Sequence, residues 1–106
     1  MKVLVTGGAG YIGSHCSSYF KDKGIDSIVL DNLSFGHLKA VKESRLVVGD
    51  IGDESLLRSL FREDAFDAVI HFAALADVAD SVARPQLYYD INVAKMKTLL
   101  KVMADY

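Results

Sequence analysis

Thr6-Gly7-Gly8-Ala9-Gly10-Tyr11-Ile12-Gly13 follows the apolar run Val3-Leu4-Val5 and leads into a stretch with helical periodicity. The apolar run is too short for a helix and reads as a buried strand. Residues 11–23 set Ile12, Cys16 and Phe20 at i, i+4 and i+8, which predicts an amphipathic helix with those three on its buried face. Gly24 stands where a helix C-cap glycine belongs. The glycines at 7, 10 and 13 recur every third residue, and between a strand and a helix each has a task. Gly7 permits the tight turn, Gly10 lets a pyrophosphate approach the backbone, and Gly13 lets the helix pack closely on the strand. The helix start adds unpaired N–H groups and a positive dipole end, which favour an anion.

Working outward, Ser27-Ile28-Val29-Leu30 reads as a second strand that ends at Asp31. An acid about 20 residues beyond the glycine turn accepts hydrogen bonds from an adenosine ribose and repels a 2′-phosphate. That pattern points to NAD rather than NADP. A third strand, Leu46-Val47-Val48, stops at Gly49-Asp50, where Asp50 is placed to flank an adenine. Asp53 is a plausible N-cap for a helix burying Leu56, Leu57, Leu60 and Phe61. Ala68-Val69-Ile70-His71-Phe72 is the fourth strand, and Ser81 falls in a loop before Arg84-Pro85. Pro85 opens the longest periodic segment. Tyr89, Val93, Met96, Leu100 and Met103 mark its apolar stripe, widened by Tyr88, Ile91, Leu99 and Val102. Four strand–helix units with continuously apolar strands predict one α/β domain over residues 1–106. Its sheet is parallel and doubly wound, in the order 3-2-1-4, with helices on both faces.

The chain has 106 residues, 51% of them hydrophobic and 25% charged, with a net charge of −2. This is a globular composition without the basic footprint of a nucleic-acid binder. No apolar run approaches the ~20 residues of a membrane helix, and the apolar start is too short for a secretory signal. The single cysteine, Cys16, excludes an internal disulfide and fits a reducing, cytoplasmic setting. On an apolar helix face it reads as a packed thiol. His15, His37 and His71 have no partners at ligand spacing, so no metal site is expected. Tyr19 and Lys23 share Tyr-x-x-x-Lys spacing, but they lie on the first helix and read as a tyrosine beside a solvated lysine.

Thr6 to His15, Asp31-Asn32-Leu33-Ser34, Gly49-Asp50-Ile51, His71-Phe72-Ala73-Ala74 and Tyr88-Tyr89-Asp90 together resemble the N-terminal third of the UDP-glucose 4-epimerase family. These enzymes are a branch of the extended short-chain dehydrogenase/reductases. The resemblance implies a Rossmann-like fold of about four strands and NAD as cofactor. It implies pyrophosphate contacts at Gly7, Gly10, Tyr11, Ile12 and Gly13, and ribose or adenine contacts at Asp31, Asn32, Ser34 and Gly36. Asp50 and Ile51 would flank the adenine, and Phe72, Ala73 and Ala74 would lie beneath the nicotinamide half, with Asn92 nearby. Three positions depart from the family pattern: Phe35 and Ile91 replace asparagines, and Ala76 replaces a lysine. The family chemistry passes a hydride from the sugar C4 to NAD and back through a 4-keto sugar. It uses a tyrosine base, a lysine four residues on and an upstream serine or threonine, in segments this chain does not contain. The expectation is therefore a cofactor-binding portion that is inactive alone and takes a nucleotide-sugar only with a C-terminal remainder. The alternatives are a stand-alone dinucleotide-binding or self-associating module and a fragment of a nucleotide-sugar 4,6-dehydratase. A homo-oligomer is expected, through the strand-four edge or through Tyr89, Met96, Leu100 and Met103 of the last helix.

Overall fold

The computed structural model describes residues 1–41 and 44–106. Four strands, β1 (Lys2–Thr6), β2 (Asp26–Asp31), β3 (Arg45–Val48) and β4 (Ala68–His71), pair in parallel in the order β3-β2-β1-β4. Five α-helical segments accompany them: α1 (Tyr11–Asp22), α2 (Glu54–Glu63), α3 (Val78–Ala83), α4 (Pro85–Tyr89) and α5 (Lys95–Asp105). The doubly wound, Rossmann-like sheet expected from the strand–helix alternation is the one observed. In its register Val5 sits between Val29 and Ile70.

Alternation along the strands sends side chains to both faces. Leu4, Ile28 and Leu30 meet Leu57, Leu60 and Phe61 of α2 and Leu99 and Val102 of α5. Val3, Val5 and Val29 face the opposite side, where Phe20 of α1 packs against them. Burial on both faces is why the strand sequences read as unbroken apolar runs.

The helix caps follow local chemistry. Gly24 takes a left-handed φ of 70°. It lets Ile25 N–H reach Phe20 C=O (2.8 Å) while Gly24 N–H reaches Lys21 C=O (2.9 Å), the paired bonds of a Schellman ending. The Asp53 carboxylate accepts from Leu56 N–H at 3.1 Å and starts α2.

Three expectations are corrected. The buried face of α1 is Gly13 and Ser17, whereas Ile12 is 66% exposed and Cys16 half-buried. The helix lies so close to the strand-one turn that only small residues fit the contact, and apolar periodicity does not register them. The supposed loop around Ser81 is α3, whose N-cap Asp77 accepts from Asp80 N–H at 3.0 Å. Ser81 Oγ donates to Val78 C=O (2.6 Å) within that turn. The long periodic segment starts at Pro85 as expected, but a π-helical turn at Asp90–Ala94 interrupts it. The wider turn shifts the phase of the helix beyond it. Leu99 and Val102 are buried, with half-buried Met96 and Met103 packed against the same core, while Tyr89, Val93 and Leu100 are exposed. No helix among the described residues is long and apolar enough to cross a membrane.

Candidate functional site

The carboxyl ends of all four strands open onto one rim. The crossover through α1 covers one sheet face and that through α2 the other, so the connections diverge between β1 and β4. Open α/β sheets take their ligands at this switch point. A cleft of about 170 Å³ lies there. Gly7 and Gly10 form its floor, with Asp31, Asn32, Ser34, Phe35 and Gly36 from the turn after β2. Gly49, Asp50 and Ile51 follow β3, and Phe72, Ala73, Ala74 and Leu75 follow β4, while Ile91 and Lys95 close the helical side.

Three of the glycines in the turn are imposed by the protein itself. Gly7 has φ of 69°, and a Cβ there would meet Ala73 N at 2.7 Å. A Cβ at Gly8 would strike Val29 at 2.6 Å, and one at Gly13 would come within 2.8 Å of Gly8 Cα and closer still to the Gly7 carbonyl. Gly10 differs. Its backbone is extended (φ −78°, ψ 178°), and the nearest atom to an added Cβ is Gly7 O at 3.4 Å. No steric clash requires glycine at that position. The space it leaves open adjoins the start of α1, which has no side-chain cap. The first N–H groups of a helix lack intrahelical acceptors and are donors suited to an anion.

Asp31 holds two loops together. One carboxylate oxygen accepts from Ala9 N–H in the glycine turn (3.0 Å), and the other accepts from Leu33 N–H (2.7 Å). Leu33 has φ of 62°, the one positive value outside glycine among the described residues. Asn32 Oδ1 accepts from Ser34 N–H, and its amide reaches Asp50 at 3.5 Å. His37 N–H donates to Ala9 C=O (3.0 Å), and Gly36 packs so closely on Ala9 that a Cβ would come within 2.8 Å of it. The loop after β2 is thereby pinned along the glycine turn.

Asp50 accepts from Gly52 N–H (2.7 Å) and from Lys95 Nζ (2.7 Å). Burial pushes the carboxyl up, but the bonds from Lys95, Gly52 and Asn32 outweigh it and hold it below its ordinary range. Sequence reasoning missed Lys95. Its only signal is a position one turn beyond Ile91, on the helix face turned to the cleft. Below Ala73, the buried Thr6 hydroxyl pairs with His71 Nδ1 at 2.6 Å. Burial lowers the His71 pKa, so the ring is neutral at pH 7.

Of the residues singled out from sequence, Gly7, Gly10, Asp31, Asn32, Ser34, Gly36, Asp50, Ile51, Phe72, Ala73 and Ala74 come together on the cleft. Gly13 lies under the turn, and Tyr11 and Ile12 are 82% and 66% exposed at the helix start. Asn92 stands off the cleft wall and clamps Leu75, donating to its C=O (2.8 Å) and accepting from its N–H (2.9 Å). Tyr19 and Lys23 stay on the α1 surface, with the ammonium 5.6 Å from the ring centre. Burial raises the Cys16 thiol pKa, against a nucleophilic role.

A glycine turn leading into an uncapped helix, with an acid at the end of the second strand and a cleft at the switch point, defines a dinucleotide-binding module of the Rossmann type. More narrowly, the chain belongs to the NAD-dependent epimerase/dehydratase family, whose model matches residues 3–106. It is 47% identical over 106 residues to the UDP-glucose 4-epimerase of Halalkalibacterium halodurans, covering 100% of this chain and 32% of that one. It is 49% identical to the UDP-glucose 4-epimerase of Lactobacillus helveticus, covering 99% and 32% of the two chains. The solved UDP-glucose 4-epimerase of Brucella ovis in complex with NAD superposes with a TM-score of 0.93 at 46% identity, covering 95% of this chain and 31% of that one. The chain thus spans about a third of the length of the curated relatives it matches.

Proposed function

We propose that residues 1–106 form the NAD-holding unit of an enzyme that interconverts UDP-glucose and UDP-galactose. The observation that carries this reading is Gly10: an added Cβ would meet nothing but Gly7 O, at 3.4 Å, beside a helix start that has no side-chain cap. The group that space suits is a diphosphate, held by the N–H groups of Tyr11 and Ile12 at the helix start, with Gly10 leaving room beside them and Gly7 and Gly13 seating the turn. Asp31 has room for the ribose. A carboxylate offers about four acceptor sites, and Ala9 and Leu33 occupy two, which leaves two for the 2′- and 3′-hydroxyls. A 2′-phosphate would meet that negative charge, so NADP is disfavoured. The adenine lies between Asn32, Ser34 and Gly36 on one side and Asp50 and Ile51 on the other. Phe72, Ala73 and Ala74 form the floor of the nicotinamide half, kept in place by Asn92 through Leu75.

Bound NAD supplies the hydride acceptor and donor for chemistry at the sugar. The part of this chain is to bind and orient it. Among the described residues no tyrosine–lysine pair reaches the cleft, so residues 1–106 alone leave UDP-galactose unchanged. Exposed Tyr89, Val93 and Leu100 offer a surface for self-association. Calorimetric titration should show NAD binding, at least tenfold weaker NADP binding, and loss of NAD binding in a folded Asp31→Ala variant. Absence of binding to both cofactors would overturn this reading.

A further inference from the structure

Phe35 is the only one of the five phenylalanines that is exposed among the described residues, at 76%. Phe20, Phe66 and Phe72 are half-buried and Phe61 is buried. A single exposed apolar side chain is ordinary on a protein surface, but Phe35 lies on the lip of the cleft. It is flanked there by Ser34 and Gly36, and the walls beyond carry Asn32, Asp50 and Lys95. Its backbone is not free to swing away. Asp31 fixes Leu33, Asn32 fixes Ser34, and His37 and Gly36 are held against Ala9. The chain therefore presents one aromatic ring, on a restrained loop, at the end of the cleft where the polar groups suit a base edge.

We infer that Phe35 covers the purine of the bound dinucleotide, its ring lying against the face of the base while Asn32 and Asp50 meet the edge. The inference rests on the assignment of the cleft to NAD. A purine is the part of that cofactor with a flat apolar face, and stacking needs no matched hydrogen bonds, so a phenylalanine suffices. Removing the ring should weaken binding on the order of tenfold, the usual scale of base–aromatic stacking. The loss should fall equally on every adenine-bearing ligand.

The chain has five tyrosines but no tryptophan, so Phe35→Trp places a unique indole, excitable apart from the tyrosines, at this position. Its emission should be quenched by NAD and by AMP but not by nicotinamide mononucleotide. Phe35→Ala should bind NAD on the order of tenfold more weakly in calorimetry, with an unchanged melting temperature because the side chain supports no packing. Undiminished NAD affinity in Phe35→Ala, or indole emission in Phe35→Trp that is indifferent to NAD and AMP, overturns the role of Phe35 and leaves the NAD site standing. If the unmodified chain binds neither NAD nor AMP, both the site and the role fall together.

Discussion

A methyl group added at Gly10 and one added at Gly13 are the same chemical change three residues apart, but the first falls chiefly on ligand binding and the second on stability. At Gly13 the new carbon comes within 2.8 Å of Gly8 Cα and closer to the Gly7 carbonyl, both backbone atoms of a turn fixed on three sides. Overpacking of this kind costs about 1–3 kcal/mol. Because rigid backbone is struck on two fronts, the upper end applies. The helix preference for alanine over glycine returns about 1 kcal/mol. The net loss is roughly 2 kcal/mol, which lowers the melting temperature of a domain this size by about 8–16 °C. At Gly10 the extended backbone suits any residue, and the added carbon makes only an ordinary 3.4 Å contact. Replacing glycine by alanine at an N-cap costs about 0.5–1 kcal/mol, a shift of about 2–8 °C. The Gly10 methyl instead fills the space assigned to the diphosphate, and NAD affinity should fall more than tenfold. Thermal unfolding by circular dichroism, paired with NAD titration of each folded variant, separates the two effects. If Gly10→Ala binds NAD as the parent does, the diphosphate lies elsewhere. If Gly13→Ala melts with the parent, the tight helix–turn contact is wrong.

The core and the site floor can each be tested by unfolding. Leu99→Ala should cost about 2–5 kcal/mol in urea unfolding with an unchanged m-value, since Leu99 is 1% exposed between α2 and the sheet; a cost below about 1 kcal/mol would refute that packing. His71 has a folded pKa below its ordinary 6.5 because burial disfavours the charged ring. The stability it contributes is therefore complete above pH 6.5 and declines as pH falls toward the folded value, with a slope of at most ~1.4 kcal/mol per pH unit for one proton. His71→Gln should flatten unfolding stability between pH 6.5 and 5 relative to the parent, and an identical slope in both would show that the ring is not desolvated.

Apolar runs and cap residues made much of the fold legible in advance. Val3-Leu4-Val5 and Ile28-Val29-Leu30 are buried on both faces, and such burial leaves an unbroken apolar signature, which the half-buried edge strands β3 and β4 share. Asp53 and Gly24 are legible because capping is local chemistry. Two of the misreadings share one cause: contacts made by small residues or by an irregular turn carry no apolar period. Gly13 and Ser17 bury α1 by being small, and the π turn at Asp90–Ala94 leaves no mark in the apolar pattern, whereas Leu99 and Val102 are buried as their places on the apolar stripe imply. Lys95 was hidden for the related reason that its partner, Asp50, is 45 residues away and meets it only through the fold.

Asp31 shows why the cleft and the fold cannot be perturbed independently everywhere. From sequence it reads as a ribose ligand, yet in the structure its two oxygens already tie the glycine turn to the loop that carries Phe35. Ala9, beside Gly10, donates its N–H to Asp31 and accepts from His37 N–H, and Gly36 packs closely on it. Removing the carboxylate strands two backbone N–H groups, at about 1–3 kcal/mol each where water cannot replace the acceptor, and loosens the walls around the ligand. Lost NAD binding in Asp31→Ala therefore counts for a ribose contact only to the extent that Phe35→Ala and Gly10→Ala, which leave those bonds intact, change binding without changing the fold. A fall in affinity in all three, with melting displaced markedly in Asp31→Ala alone, is the pattern expected of a carboxylate that serves both the loops and the ligand.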